Sequence, residues 1–219
     1  MLRAATWQGP SGLTEYAVTC ETGNARRVLI VPPLFDEHNK LRHFLAETMR
    51  ALATHATDSV LPDLPGTNES LAPLEAQTLA GWRQAVASAA SQLGATHLLA
   101  VRGGALVLPG ELPALACAPV SGPAILRGMI RARVIADREA GRESEREALL
   151  AMGRSEGIEL AGYRLGAGLL RELESAEPAE APAIAQADLG GAGLWLRAEP
   201  AHDPAQSLAL ARIVAERLA

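Results

Sequence analysis

Four short runs of consecutive apolar residues constrain this chain most: Val28–Val31, "DSVLP" over residues 58–62, "THLLAV" over 96–101 and "ALACAPV" over 114–120. A strand with one wet face alternates polar and apolar residues, whereas a strand that is apolar at successive positions is covered on both faces. The stretches between the first three runs have helical spacing. Leu41, Phe44, Leu45, Met49 and Leu52 share one helix face, and Leu79, Trp82, Val86, Ala90 and Leu93 share another, with Gly94 as the stop. Strand, helix, strand, helix, strand predicts an α/β fold on a mostly parallel sheet with right-handed crossovers. Before it, "LRAATW" and "LTEYAVTC" flank the turn "GPSG" and predict a pair of N-terminal antiparallel strands.

The rhythm changes after the fourth run. Residues 123–174 read as helical, with six arginines from Arg127 to Arg146 interleaved with acids, the pattern of a solvated, salt-bridged face. "SAEPAEAPAIAQADLGGAG" reads as a connector, "LWLRAEP" as a last strand, and "DPAQSLALARIVAERLA" as a closing helix. The expected division is a core of residues 1–122 and 191–219, with a helical cap insertion and linker over 123–190.

The third run leads straight into a glycine pair, "AVRGG", at residues 100–104. Strand, sharp turn with small residues, helix is the setting of the nucleophile elbow G-x-S-x-G. Here the apex is Arg102, and the oxyanion-loop position is filled by "VLIVPPLFDEHNK". The chain resembles the α/β-hydrolase superfamily, and more narrowly the exosortase A system-associated hydrolases of the second type. The matching pieces are "VPPLFDEHNKLR" (31–42), "LPDLPGTNES" (61–70), "VRGGAL" (101–106), "PVSG" (119–122) and "IELAGYRL" (158–165). The resemblance implies an α/β-hydrolase-like fold with a helical cap, here with a shortened C-terminal end. It also implies a role beside bacterial exopolysaccharide production or export of proteins with a sorting tail.

Serine-hydrolase chemistry needs a nucleophile, a histidine to take its proton, and an acid to orient the histidine. A guanidinium stays protonated and has no lone pair with which to attack a carbonyl. His202 and Asp203 follow the expected last strand and are candidates for a displaced base and its acid. Ser121 in "PVSG" is a candidate nucleophile, though a serine there more simply begins a helix. The expectation is a protein without serine-hydrolase activity that acts as a binding or accessory protein. The alternative is an active esterase or thioesterase with a non-standard nucleophile.

The elbow also reads as an anion or ligand site. Arg102 brings a full charge, and Gly103 and Gly104 offer backbone N–H groups at the expected helix start, with Phe35, Asp36, Glu37 and His38 on the facing loop. An unpaired buried guanidinium is costly, so the expectation is that Asp36 or Glu37 pairs with Arg102, with a small external carboxylate or phosphate as the second reading and neither as the third. "FDEH" is not metal-ligand spacing and no glycine fingerprint holds a nucleotide, so no metal or cofactor is expected. Lys and Arg number 20 against 25 acids, a net charge of −5, which argues against a nucleic-acid partner. No apolar run reaches membrane-span length and the start lacks a signal-peptide pattern, so a cytoplasmic protein with two buried, reduced cysteines is expected. A partner in envelope export and self-association both remain open from sequence.

Overall fold

A computed structural model describes residues 1–218. Strands β1 (Leu2–Gln8) and β2 (Thr14–Cys20) form the N-terminal antiparallel pair, in register from Leu2 opposite Cys20 to Gln8 opposite Thr14. The alternating units follow: β3 (Arg27–Val31), α1 (Asp36–Thr54), β4 (Asp58–Pro62), α2 (Leu79–Gln92), β5 (His97–Val101) and β6 (Ala114–Cys117). The main sheet has seven strands in the order β1-β2-β4-β3-β5-β6-β9, where β9 is Ala183–Ile184. β2 meets β4 antiparallel, while β4, β3, β5, β6 and β9 run parallel.

The consecutive apolar residues divide between two cores. Leu29 and Val31 of β3, with Leu98 and Ala100 of β5, pack with α2. Val28, Ile30, Leu99 and Val101 point the other way, into α1 and α7 (Pro204–Arg217). Every expected stripe residue of α1 is buried. Trp82 of α2 is fully buried and its indole N–H donates to the Pro65 carbonyl at 2.8 Å, tying α2 to the loop after β4. Thr78 caps α2 by accepting from the Gly81 N–H at 2.9 Å. Both cysteines, Cys20 and Cys117, are buried and unpaired. No helix among the described residues is long and apolar enough to cross a membrane.

Beyond β6 come α3 (Gly122–Glu139), α4 (Arg146–Glu156), α5 (Ala167–Leu173) and α6 (Gln186–Leu189). Three expectations are corrected here. Residues 123–174 are not all helical: β7 (Ile158–Leu160) and β8 (Tyr163–Leu165) form a hairpin between α4 and α5. Gly157 (φ 83°) ends α4, and Ala161 (φ 50°) and Gly162 (φ 82°) supply the two left-handed residues that a tight hairpin turn needs. "LWLRAEP" is not a strand; Leu194–Leu196 is one turn of 3-10 helix, and the sheet's edge is β9, inside the stretch expected to be connector. Two residues of pairing are too few for a pattern in sequence to announce. Finally, the turn after β5 opens a six-residue 3-10 helix, Arg102–Val107, rather than the expected α-helix. The arginine-rich face is solvated as expected except at Asp137. That carboxylate is buried and accepts from Arg133 (2.8 Å), Arg142 (2.6 Å) and Ser144 (2.5 Å), fastening the end of α3 to the start of the next loop. These bonds hold its carboxyl well below the usual range. Ala219, last in the expected closing helix, lies outside the described residues.

Candidate functional site

β5 ends in its sheet and the next residue, Arg102, has φ 53°. A non-glycine residue in this region stores about 1–3 kcal/mol of strain and persists only where its surroundings fix it. The surroundings are visible. Behind Arg102, a Cβ on Gly104 would lie 2.6 Å from the carbonyl oxygens of Val31 and Pro32, and one on Gly103 would lie 2.9 Å from Ile125. The glycine pair therefore lets the turn press against the end of β3. Other residues with left-handed φ gather nearby: Phe35 (56°), Ala118 (44°), Ala161 (50°) and Asn68 (46°).

The Arg102 side chain is held on three sides. Its Nε and Nη2 donate to the two carboxylate oxygens of Glu37, each at 3.0 Å, a two-point pair that only a guanidinium can make. Its Nη1 donates to the Ala118 carbonyl at 2.8 Å, and the Trp195 ring lies 4.0 Å from the guanidinium carbon. The two charged side chains are 13% and 25% exposed, so the pair is largely but not wholly removed from water.

Successive residues at the start of α1 point about 100° apart, so Asp36, Glu37 and His38 go three ways. Asp36 turns outward and accepts from Lys40 at 2.7 Å. Glu37 meets Arg102. His38 is buried and turns away into a separate group. Above the Arg102–Glu37 pair lies a cavity of about 350 Å³ with apolar walls from Leu34, Phe35, Val120, Ile125, Met129 and Trp195. Asp36, Glu37, Lys40 and Arg102 form its polar part. Gly103 and Gly104 are buried beneath and do not line it, which corrects their expected place in the ligand site.

His38 faces a second cavity of about 330 Å³, which shares only Phe35 with the first. The Asn68 side-chain N–H₂ donates to Asp63 at 3.0 Å and lies 2.8 Å from His38 Nδ1. The same nitrogen lies 3.3 Å from Nε2, so Asn68 holds the edge of the imidazole ring. Burial, helped by the Arg42 charge, pushes His38 down to about 4, so the imidazole is neutral at pH 7. Burial likewise raises the Asp63 carboxyl. Phe35 divides the two cavities, its ring 5.5 Å from Tyr163 and 6.1 Å from Trp82.

The candidate triad residues do not assemble. His202 stacks on His43 at 4.3 Å, and its Nε2 lies 3.3 Å from the Ser207 hydroxyl. Asp203 follows no strand; its carboxylate caps α7, accepting from Ala205 N–H at 3.0 Å and from Gln206 at 3.2 Å. Ser121 stands at the N-cap of α3 and makes no side-chain cap bond. Cys117, close to Arg102, is buried and its thiol is pushed up to about 12 by that burial, which keeps it a neutral, unreactive group. Sequence reasoning missed Trp195 and Asn68. Trp195 carried one signal, a large aromatic in a chain with 3% aromatics, placed after the glycines 190, 191 and 193. Asn68 carried none.

No family model matches the chain, and no curated protein matches it. Solved structures do. Est1E from Butyrivibrio proteoclasticus, solved with ferulic acid bound, matches at 12% identity and TM-score 0.55, over 78% of this chain and 70% of that one. The α/β hydrolase GrgF from Penicillium sp. sh18 matches at 15% identity and TM-score 0.52, over 80% and 73%. Epoxide hydrolase VrEH1 from Vigna radiata matches at 21% identity and TM-score 0.46, over 55% of this chain, which spans only 40% of that enzyme's length. The fold is α/β-hydrolase-like, with a mostly parallel sheet and antiparallel N-terminal strands.

Proposed function

We propose that this α/β-hydrolase-like protein has exchanged serine-hydrolase chemistry for a binding or accessory role. One observation supports the reading: Arg102, at the position read as the elbow apex, is locked in a two-point pair with Glu37. A nucleophile at that position would need a free lone pair and a base beside it. Arg102 has neither, and His202 is occupied against His43 and Ser207. The cavity above the pair fits the apolar body of a small molecule. An anionic head entering there competes with Glu37 for Arg102. The motif resemblance extends the proposal to a cytoplasmic protein of the exosortase-associated type, serving exopolysaccharide production or envelope export through a small anionic ligand or an export component.

The test has two arms. A fluorophosphonate probe is expected to label no serine, and Arg102→Ser is expected to hydrolyse p-nitrophenyl esters no faster than the parent. Labelling of a single serine, or turnover abolished by Ser121→Ala or His202→Ala, would establish the esterase alternative. For binding, titration with decanoate is read by the emission of Trp195, which touches Arg102. A saturable change that Trp195→Phe abolishes and Glu37→Gln strengthens is expected; no saturable change removes the anionic-ligand part of the proposal.

A further inference from the structure

The second cavity has a different chemistry from the first. Its charges cancel locally. The Arg42 guanidinium and the Glu69 carboxylate line it with opposite charge, while Asp63, 3.9 Å from Arg42, is buried behind the lining. An anion entering here meets Glu69, while a cation meets Arg42. Neither sign gains from the sum of these two lining charges.

What the cavity does offer is a mixed set of donors and acceptors around an apolar wall. Arg42 and Asn39 present N–H donors, and Glu69 presents an acceptor. The Thr67 hydroxyl gives its proton to the Leu64 carbonyl at 2.8 Å, which leaves its oxygen lone pairs for an incoming donor. Asn68 spends its N–H₂ on His38 and Asp63, which leaves its amide oxygen as an acceptor. The Phe35 and Tyr163 rings supply the apolar side. Several of these groups are fixed before any ligand arrives, so little side-chain entropy is lost on binding. The neutral His38 behind them adds no charge.

A ligand that satisfies this arrangement carries many hydroxyls, each able to donate and accept at once, has no net charge, and has an apolar C–H face to set against the rings. We propose that this cavity is a binding site for a neutral saccharide unit. A charged isostere of the same ring shape is discriminated against from either side, a carboxylate by Glu69 and an ammonium by Arg42. The site stands apart from the Arg102 cavity and does not depend on whether the elbow is catalytic.

Saturation-transfer NMR on the full chain tests this with methyl α-glycosides of gluco, galacto and manno configuration as neutral probes. Glucuronate and glucosamine serve as the charged isosteres. At least one neutral glycoside is expected to bind with millimolar affinity, and both charged sugars at least fivefold more weakly than it. Asn39 is exposed, so Asn39→Ala is expected to leave the circular dichroism spectrum intact while weakening the neutral probe at least fivefold. Arg42→Gln is expected to weaken it similarly, and Trp195→Phe, in the other cavity, to leave it unchanged. The proposal is overturned if no neutral glycoside transfers saturation, if glucuronate or glucosamine binds as well as the neutral sugar, or if both Asn39→Ala and Arg42→Gln bind like the parent.

Discussion

The ion pair at the elbow can be weighed by a double-mutant cycle of Glu37→Gln and Arg102→Met. Exposed pairs contribute about 0–1 kcal/mol, and breaking a fully buried pair costs about 3–5 kcal/mol. This pair lies between: two charge-assisted bonds of 3.0 Å, with side chains 13% and 25% exposed. Glu37→Gln leaves Arg102 the Ala118 carbonyl and the Trp195 face but no counter-charge, a loss of about 2–3 kcal/mol. Arg102→Met removes the buried charge and keeps an unbranched chain of similar length, and Glu37 is exposed enough to hydrate, so it costs less, about 1–2 kcal/mol. The double variant then loses less than the two singles together, with a coupling of about 2 kcal/mol, roughly a thirtyfold change in the folding equilibrium. Urea unfolding followed by circular dichroism gives all four free energies. The coupling is expected to persist in 1 M salt, where a surface pair would be screened. A coupling under about 0.5 kcal/mol, or one abolished by salt, would show that the pair is ordinary surface charge and that the elbow is not plugged.

Three further outcomes follow from buried groups. His38 has its folded-state pKa lowered to about 4 against 6.5 when free, so the unfolded chain takes the proton first. Its contribution to stability is complete above pH 6.5 and is lost as pH falls towards 4, a change of about 3 kcal/mol that His38→Gln is expected to remove from the pH–stability curve. Glu15 is buried with both carboxyl oxygens unpartnered, and burial, with the Asp63 charge, raises its pKa. The folded state favours its protonated form, so stability from this group is present below pH 4.5 and lost as pH rises through the folded-state value. Glu15→Gln is accordingly expected to match the parent in melting temperature near pH 4 and to exceed it at pH 8; a lower value at pH 8 would refute the argument. Gly104→Ala places a methyl 2.6 Å from two carbonyl oxygens and is expected to cost about 2–3 kcal/mol in urea unfolding. Parent-like stability would mean that the turn is not pressed against β3.

Several features were legible because they are local. The apolar runs at Val28–Val31 and His97–Val101, and the stripes of α1 and α2, repeat a pattern that only one backbone geometry can bury. The strand-to-turn setting of Arg102, and its need for a carboxylate partner, were likewise readable, since a guanidinium cannot be buried alone. The features that sequence misplaced depend on residues distant in the chain. β9 is a strand because β6 offers it an edge, and Leu194–Leu196 forms a 3-10 turn that places Trp195 against Arg102. Asp203 was expected beside a strand that does not form there, and it caps a helix.

The choice between Asp36 and Glu37 shows where that boundary runs. Both acids sit at the start of one helix, equally able to neutralise an arginine. From sequence alone come a permanent cation directly after β5 and a demand for one negative charge near it. Which carboxylate answers, which histidine lies buried beside it, and that two cavities rather than one flank Phe35, all depend on the rotation of α1 over the sheet. That rotation is set by Leu41, Phe44, Leu45 and Met49 packing against strands far away in the chain. Such packing is cooperative, and no window of neighbouring residues contains it.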